Sequence, residues 1–196
     1  MVMNRKLQEL KDSLFELHKE LRKTSFQKFK RINPFYEDII DWKERGEFWC
    51  VEDKNVTIYN STTVVGDVNI GENTWIGPFC SLDGNGKLTI GKNCSISAGV
   101  QILTHDTVVW ALTGGKQLYE YDSVTIGDCC FIGTHAIITK GVTIGSHCII
   151  GAGAVVTKNV SSNSIVVGVP GKIIGKTIIN NDDTIAFRYF NKNNNI

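Results

Sequence analysis

The sequence predicts an all-β solenoid preceded by an N-terminal helical segment. From Ile58 onward an aliphatic residue returns every six positions, often followed by glycine, as in Ile70-Gly71 and Ile76-Gly77. A small or β-branched residue usually stands four positions after each aliphatic one. This period fits neither the roughly 3.5-residue spacing of a helical heptad nor the alternation of an amphipathic strand. Short strands closed by corners would stack so that each coil buries its aliphatic residues against its neighbours.

The repeat is interrupted once, and the interruption predicts a long loop. The aliphatic positions are Ile58, Val64, Ile70, Ile76, Leu82, Ile90, Ile96 and Ile102 before the break, and Ile126, Ile132, Ile138, Ile144, Ile150 and Val156 after it. We predict a solenoid domain over residues 51–179, with a loop over residues 103–125 that leaves the solenoid at a corner. Long ordered loops on rigid scaffolds commonly carry function, which makes this loop the first place to search for a site.

The segments outside the repeat have other patterns. Residues 1–50 are predicted to be a helical segment, in which an apolar stripe indicates an amphipathic helix over residues 3–24. The stripe consists of Leu7, Leu10, Leu14, Leu17 and Leu21. We expect this helix to cover one face or the open N-terminal end of the solenoid, and the alternative is a coiled coil that joins three copies. Pro34 predicts the start of a second helix that runs to about Gly46. Residues 180–196 are rich in Asn and are expected to form a loose tail.

The composition excludes several classes of function. There are 21 Lys and Arg residues against 20 Asp and Glu, so the net charge of +1 provides no strong field for nucleic acid or an anionic membrane. No run approaches the roughly 18 apolar residues of a membrane span. The N-terminus alternates charge with leucine where a signal peptide would be apolar, which predicts a cytoplasmic protein.

The six cysteines follow the repeat and not a metal or disulfide motif. None of them forms a CxxC pair. Four of them stand at the inward position that follows an aliphatic residue by four, namely Cys80, Cys94, Cys130 and Cys148. We therefore predict that they are small apolar packing residues in a reducing compartment.

The loop begins with a candidate catalytic pair. His105 and Asp106 follow the last hexad before the break. Histidine is suited to accept a proton near neutral pH, and Asp106 would fix its tautomer or stabilise the imidazolium. The residue pattern by itself leaves a catalytic and a structural role for His105 equally open. Asp83 and Asn85 form a polar bulge in the eight-residue step before Ile90, which is either an ordinary turn or a contact for a substrate.

The second half of the repeat resembles a known family. The run VTIGDCCFIGTHAIITKGVTIGSHCIIGAGAVVTKNV, followed by VVGVPGKII, resembles the sugar and xenobiotic acetyltransferases of the hexapeptide-repeat acyltransferase family, including the galactoside and maltose O-acetyltransferases. The resemblance extends from about Leu82 to Lys176. It implies a left-handed parallel β-helix with three hexads in each triangular coil. It also implies acetyl-CoA as the co-substrate without a metal, and a homotrimer with active sites between subunits.

The resemblance also implies roles for individual residues. His105 matches the general base, and Asp83 and Asn85 lie where relatives contact the acceptor. Phe131 stands where an aromatic residue, usually tryptophan, packs on the pantetheine arm. The backbone N–H of Thr134 faces the thioester oxygen.

Four further residues are implied in CoA binding. Ala152 permits close approach of the CoA arm, and Thr157 and Lys158 lie near its nucleotide end. Relatives carry an arginine near the CoA phosphates where this chain has Gly175. The positive charge near the phosphates would then come from Lys172 or, alternatively, from Lys176.

The resemblance implies an acetyl-CoA-dependent acetyltransferase that acts on a sugar hydroxyl, as in polysaccharide biosynthesis, by direct transfer with His105 as base. The alternative is an N-acetyltransferase of a nucleotide-linked amino sugar. Two remote alternatives are a zinc carbonic anhydrase-like β-helix, with ligands among His105, His135 and His147, and a scaffold without enzymatic activity. Residues 1–50 do not match the lid that forms part of the acceptor pocket in the sugar O-acetyltransferases, so the acceptor stays open.

Overall fold

The computed structural model describes residues 4–39, 41–50, 54–182 and 184–190. It confirms the predicted fold: a left-handed parallel β-helix of about six coils follows an N-terminal helical segment. The helices are α1 (Arg5–Phe29), α2 (Phe35–Ile39), α3 (Trp42–Trp49) and α4 (Val108–Leu112). The strands are β1 (Thr57–Ile58), β2 (Thr63–Ile70), β3 (Trp75–Ile76), β4 (Ser81–Ile90), β5 (Ser95–Ile96), β6 (Gln101–Ile102), β7 (His105–Asp106), β8 (Glu120–Tyr121), β9 (Val124–Ile126), β10 (Phe131–Ile132), β11 (Ile137–Ile138), β12 (Thr143–Ile144), β13 (Ile149–Ile150), β14 (Val155–Val156), β15 (Ser164–Val167), β16 (Lys172–Ile179) and β17 (Ile185–Tyr189).

Three parallel faces wind around one core, and each aliphatic residue of the repeat lies beside its counterpart in the next coil. Face A contains β1, β3, β5, β10, β13 and β15, with pairs such as Ile132 and Ile150. Face B contains the first part of β2 and of β4, followed by β6, β11 and β14. Face C contains the last part of β2 and of β4, followed by β9 and β12. We call the edges between them the AB, BC and CA corners.

The core is the stack of inward-pointing aliphatic side chains, which are almost fully buried on all three faces. Burial of one such side chain stabilises the fold by about 1.5–3 kcal/mol, so the repeated pattern provides most of the driving force. The residues four positions later close the corners by hydrogen bonding to the next coil. Thr74 Oγ1 donates to Gly91 O over 2.8 Å, and Cys130 Sγ donates to Gly145 O over 3.1 Å.

The inward placement of the cysteines is confirmed. Cys80, Cys94, Cys130 and Cys148 are buried, and all six cysteines are free thiols. The thiols occupy the same position as Thr62 and Thr74 and make the same type of contact to a corner carbonyl. A thiol therefore acts here as a small side chain that also satisfies a backbone acceptor.

The chain leaves the solenoid at the BC corner and returns on face C, as the break in the repeat predicts. After β6 it forms the antiparallel hairpin of β7 and β8, with α4 between the two strands, and it rejoins the coil at β9. His105 pairs with Tyr121 and Asp106 pairs with Glu120 in this hairpin. The root of the loop is consequently ordered by backbone pairing.

The N-terminal helices differ from the prediction in two ways. The single helix predicted from Pro34 to about Gly46 is two helices, because the Asp41 side chain accepts a hydrogen bond from Lys43 N and caps α3 as a new helix. The predicted packing of the long helix on the solenoid is wrong for the described residues. No residue of α1 is buried: Leu7, Leu10, Leu14 and Leu17 of the stripe are exposed, and Leu21 is half-buried.

A different pair of helices covers the open end of the solenoid, which explains why α1 does not. The buried carboxylate of Glu37 in α2 accepts hydrogen bonds from the backbone N–H groups of Asn60 and Ser61. Arg45 of α3 donates to the carbonyl oxygens of Tyr59 and Thr62. These two charged residues satisfy backbone groups that a preceding coil would otherwise satisfy.

The C-terminal segment is also more ordered than predicted. Residues 185–189 form β17, which pairs antiparallel with β16 and extends the sheet of face A. The backbone pairing along β16 holds this segment, although the hexad period has ended. Residues 191–196 of the predicted tail and residues 51–53 at the predicted domain start lie outside the described residues. No helix within the described ranges is long and apolar enough to cross a membrane.

Candidate functional site

The site begins with His105 on β7, at the root of the loop. Its Nδ1 atom lies 2.6 Å from Oδ2 of Asp83, and its ring stacks on Tyr121 with a centroid distance of 5.7 Å and an interplanar angle of 24°. The His105 side chain keeps 32% of its surface exposed. Because Nδ1 is engaged by a carboxylate, Nε2 is the ring nitrogen that is left to exchange a proton with a substrate.

Asp83 is held by hydrogen bonds from three sides. Its Oδ2 atom accepts from Thr104 N over 2.8 Å in addition to its contact with His105. Its Oδ1 atom accepts from the backbone N of Asn85 over 3.0 Å and from Asn85 Nδ2 over 2.7 Å. Asp83 is only 6% exposed, whereas Asn85 is exposed. Both Asp83 oxygens are thus bonded within the protein, which places this residue behind His105.

The protonation state of Asp83 follows from this network. Burial by itself raises the pKa of the carboxyl group, but the backbone N–H groups of Asn85 and Thr104 and the ring of His105 outweigh it and lower the pKa to about 2. Asp83 is therefore ionised throughout the neutral range. A fixed carboxylate at Nδ1 keeps the ring in the tautomer with a basic Nε2 and stabilises the imidazolium that forms when Nε2 accepts a proton.

The lowered pKa predicts how stability depends on pH. An acid whose pKa is lower in the folded state stabilises the fold above its unfolded pKa and loses that contribution as the pH falls through the folded value. For Asp83 we expect about 2 kcal/mol of unfolding free energy to be lost between about pH 4 and pH 2. Asp83→Asn should remove this part of the profile and lower the stability at pH 7.

Urea unfolding at a series of pH values measures this effect. The control is Asp67→Asn, because Asp67 is an exposed carboxylate at the same corner one coil earlier. If the unfolding free energy of Asp83→Asn depends on pH as that of the wild type does, the Asp83 network does not stabilise the fold.

Asp106 lies beside His105 in sequence, but it makes other contacts. Its Oδ2 atom is 3.1 Å from Lys140 Nζ, and its Oδ1 atom accepts from Val108 N. Successive side chains of a strand point in opposite directions, so the neighbour of His105 in β7 is directed away from its ring. The carboxylate at Nδ1 is accordingly that of Asp83, where sequence adjacency had favoured Asp106. The repeat register was the available signal, because Leu82 pairs with Ile102 and brings Asp83 to the root of the loop.

The residues predicted to meet the thioester lie at the AB corner. Thr134 follows β10, its side chain is exposed, and its backbone N–H has no hydrogen-bond partner among the described residues. Ala152 occupies the same corner one coil later, where Gly153 N donates to Thr134 O over 2.9 Å. This corner presents a free backbone donor next to a small side chain, which suits the approach of an extended ligand.

The other predicted CoA contacts are spread over the surface. Thr157 and Lys158 are exposed at the BC corner after β14. Phe131 is 46% exposed on face A and lines a groove of about 180 Å³ with Phe187 of β17. Lys172 is exposed at the start of β16, whereas the Lys176 ammonium donates to the hydroxyl groups of Ser161 and Ser164. The exposed Lys172 is therefore the more available cation of the two.

The structure joins some predicted residues and separates others. His105, Asp83 and Asn85 come together at the BC corner, and Thr157 and Lys158 lie at the same edge. Thr134 and Ala152 lie at the AB corner, so the width of face B separates them from His105 in one chain.

The three histidines of the metal alternative also lie on different corners. His105 is at the BC corner, His135 at the AB corner and His147 at the CA corner. Within the described ranges there is no group of three or more His, Cys, Asp or Glu side chains that is arranged to hold a metal ion.

Comparison with known proteins finds a family model that matches part of the solenoid. A model of the bacterial transferase hexapeptide family, built from six repeats, matches residues 123–158, which span β9 to β14 and include both Thr134 and Ala152. Over these residues the chain is similar to the hexapeptide repeats of bacterial transferases, and the same repeat forms its solenoid. No curated protein matches the sequence of this hexapeptide-repeat protein significantly.

Solved structures resemble the hexapeptide-repeat protein in fold. AntD, an N-acyltransferase from Bacillus cereus in complex with dTDP and 3-hydroxybutyryl-CoA, is 24% identical, with a TM-score of 0.56 over 61% of this chain and 68% of AntD. The polySia-specific acetyltransferase NeuO is 30% identical, with a TM-score of 0.50 over 61% of this chain and 60% of NeuO. A hexapeptide-repeat acetyltransferase from Vibrio cholerae O1 biovar eltor, complexed with acetyl coenzyme A, is 23% identical, with a TM-score of 0.52 over 62% of this chain and 63% of the other. The hexapeptide-repeat protein thus spans about three fifths of the length of two of these three.

Proposed function

We propose that this protein is an acetyl-CoA-dependent acetyltransferase that acts on a sugar hydroxyl, with His105 as general base. The observation that carries the proposal is the buried, ionised Asp83 at Nδ1 of a partly exposed histidine, at the root of the loop in a transferase-type solenoid. Structures of the same fold bound to CoA or acetyl-CoA support an acyltransferase with an acyl-CoA donor. Because the donor is a cytoplasmic metabolite, we propose the cytoplasm as the place of the reaction.

In the proposed mechanism the acceptor hydroxyl gives its proton to His105 Nε2 as its oxygen attacks the acetyl carbonyl carbon. Asp83 stabilises the imidazolium, and the carbonyl oxygen, now negative, accepts a hydrogen bond from Thr134 N–H. When the tetrahedral intermediate collapses, the C–S bond breaks and the CoA thiolate takes the proton from His105. The products are the acetyl ester and CoA, and the enzyme returns to its starting state without a covalent intermediate.

We further propose that each site forms between two copies of the chain in a homotrimer. Face B lies between His105 and Thr134 in one chain, so the BC corner of one copy must meet the AB corner of another for both groups to reach one carbonyl. The donor would lie along this interface, with Ala152 beside its pantetheine arm. Phe131, Thr157, Lys158 and Lys172 are then the residues to test for contacts to the rest of CoA.

The shared site predicts complementation between two inactive variants. His105→Ala and Thr134→Pro each remove one required group, so each homotrimer should be nearly inactive. Mixed trimers from co-expression in equal amounts should recover up to about one quarter of wild-type activity, because that share of interfaces joins an intact His105 to an intact Thr134.

A different tag on each variant allows mixed assemblies to be purified, and sedimentation of the purified material shows whether they are trimers. If they form and show no recovery, the two groups act in one chain and the shared site is wrong. A fully active wild-type monomer would contradict it as well.

The alternative acceptor is an amine on a nucleotide-linked sugar. AntD is an N-acyltransferase, and one of its mutants is solved with dTDP-4-amino-4,6-dideoxyglucose and coenzyme A, which supports this alternative. NeuO is a polySia-specific acetyltransferase, which supports a saccharide acceptor more generally. A histidine base serves either nucleophile, since a sugar amine of pKa about 7–8 needs less help than a hydroxyl.

Mass spectrometry of matched acceptors decides between them. The pair carries a hydroxyl or an amine at one carbon and is otherwise identical. One added acetyl group on the hydroxyl form supports the proposal. Acetylation of the amine form alone would favour the N-acetyltransferase alternative over it. CoA release without transfer to any saccharide would exclude a sugar acceptor.

A further inference from the structure

Lys140 ties the hairpin that carries His105 to the body of the solenoid. It lies at the BC corner of the coil after the loop, just beyond β11. Its Nζ atom is 3.1 Å from Asp106 Oδ2 on β7 and 2.5 Å from Glu120 Oε2 on β8. One cation thus contacts a carboxylate on each strand of the hairpin, so it holds both strands in place against the next coil.

The same corner makes close contact with the base of the hairpin. Gly141 follows Lys140 with φ of +78°, and a side-chain carbon at Gly141 would lie 2.6 Å from Asp122 Oδ2. Asp122 N in turn donates to Thr104 O over 2.9 Å. Lys140 contacts the Asp106–Glu120 pair of the hairpin. The next pair along the hairpin is His105 with Tyr121, whose rings are stacked.

We infer that Lys140 is a positioning residue for His105, which it orients through Tyr121 and the β7–β8 hairpin. The inference rests on the proposed function, in which the direction of His105 Nε2 decides the rate. Asp83 fixes one ring nitrogen, and a single contact leaves the ring free to tilt about it. The stacked Tyr121 removes that freedom, and the clamp of Lys140 on Asp106 and Glu120 keeps Tyr121 in place.

The clamp also sets the charge around His105. Asp83 and Tyr121 contact the ring of His105, and the charged groups of the adjoining hairpin are the carboxylates of Asp106 and Glu120 and the ammonium of Lys140. The hydrogen bond to Glu120 is the main cause that raises the pKa of Lys140, so the ammonium stays charged. Loss of this cation would leave two carboxylates unbalanced beside His105 and would favour its protonated form.

The test compares Lys140→Met with Lys140→Arg. Because the clamp is partly exposed, we expect Lys140→Met to lower kcat about three- to tenfold, with the KM for acetyl-CoA nearly unchanged. The acid limb of the rate profile should move to higher pH, because the base must lose a better stabilised proton. Lys140→Arg keeps the charge and both contacts and should restore the rate and the profile. A Lys140→Met variant with wild-type kcat and pH profile would overturn the inference.

Hydrogen exchange separates this inference from the proposed function. In Lys140→Met the amides of residues 104–122 should exchange faster, while those of the core strands on face A keep their protection. If the wild type transfers no acyl group, the proposed function fails whatever the exchange shows. If the wild type is active and the loop exchanges at the same rate in the wild type and in Lys140→Met, the clamp does not hold the hairpin. The inference about Lys140 then fails, and the proposed function stands.

Discussion

His105→Ala is expected to lower kcat at least about a hundredfold, the usual scale for a lost general base. The remaining rate would come from binding of both substrates and from the hydrogen bond of Thr134. The KM for acetyl-CoA should stay within about a few-fold, because the imidazole interacts mainly with the acceptor. The fold should survive, since the side chain lies at the surface of the loop root and not in the stack of buried aliphatic residues. Release of the CoA thiol, followed with a thiol reagent, measures the change.

A control variant makes this result specific. His135→Ala removes an exposed histidine from another corner, and we expect it to change kcat much less than His105→Ala does. Thermal unfolding of both variants shows whether each one is folded. Full turnover in a folded His105→Ala variant would place the base elsewhere, and His135 would be the next residue to examine.

Thr134→Pro is expected to lower kcat by about 10²–10³, because it removes the backbone donor that is proposed to stabilise the oxyanion. The structure gives a reason to expect normal folding. Pro78 occupies the matching position of an earlier coil, after Ile76-Gly77, as Thr134 does after Ile132-Gly133. Thr134 N–H has no partner among the described residues, so no internal hydrogen bond is lost.

The matched control for this change is Thr134→Ala, which removes the side chain and keeps the N–H. We expect Thr134→Ala to retain most of the wild-type kcat. If both variants lose the same activity, the hydroxyl or the shape of the corner matters and the backbone donor does not. If Thr134→Pro is folded and fully active, the oxyanion is stabilised by another group.

The solenoid could be predicted from the sequence because its pattern is local and repeated. Each hexad presents an aliphatic residue to the core wherever it stands in the coil. The period is therefore sufficient to predict that residues such as Ile96 and Ile132 lie side by side in neighbouring coils. The loop followed from the same pattern, since His105 and Val124 lie at the two ends of an interruption in it. The cysteine positions followed from their place in the hexad.

Contacts between coils needed the tertiary structure. Asp83 and His105 are 22 residues apart in sequence, and they meet because β4 bends through the BC corner directly beside the root of the loop. Asp106, the nearer carboxylate in sequence, is turned toward Lys140 by the alternation of side chains along β7.

The sequence by itself therefore determined the class of fold and the place where the repeat is interrupted, because periodic burial acts on each repeat independently. Only the tertiary structure decided which carboxylate contacts His105, which corner carries Thr134, what covers the N-terminal end of the solenoid and what extends face A at the other end. Glu37 and Arg45 at one end and the β16–β17 hairpin at the other lie outside the period, so no repeat specifies them. Their positions depend on unpaired backbone groups and on the register of neighbouring coils, which exist only once the chain has folded.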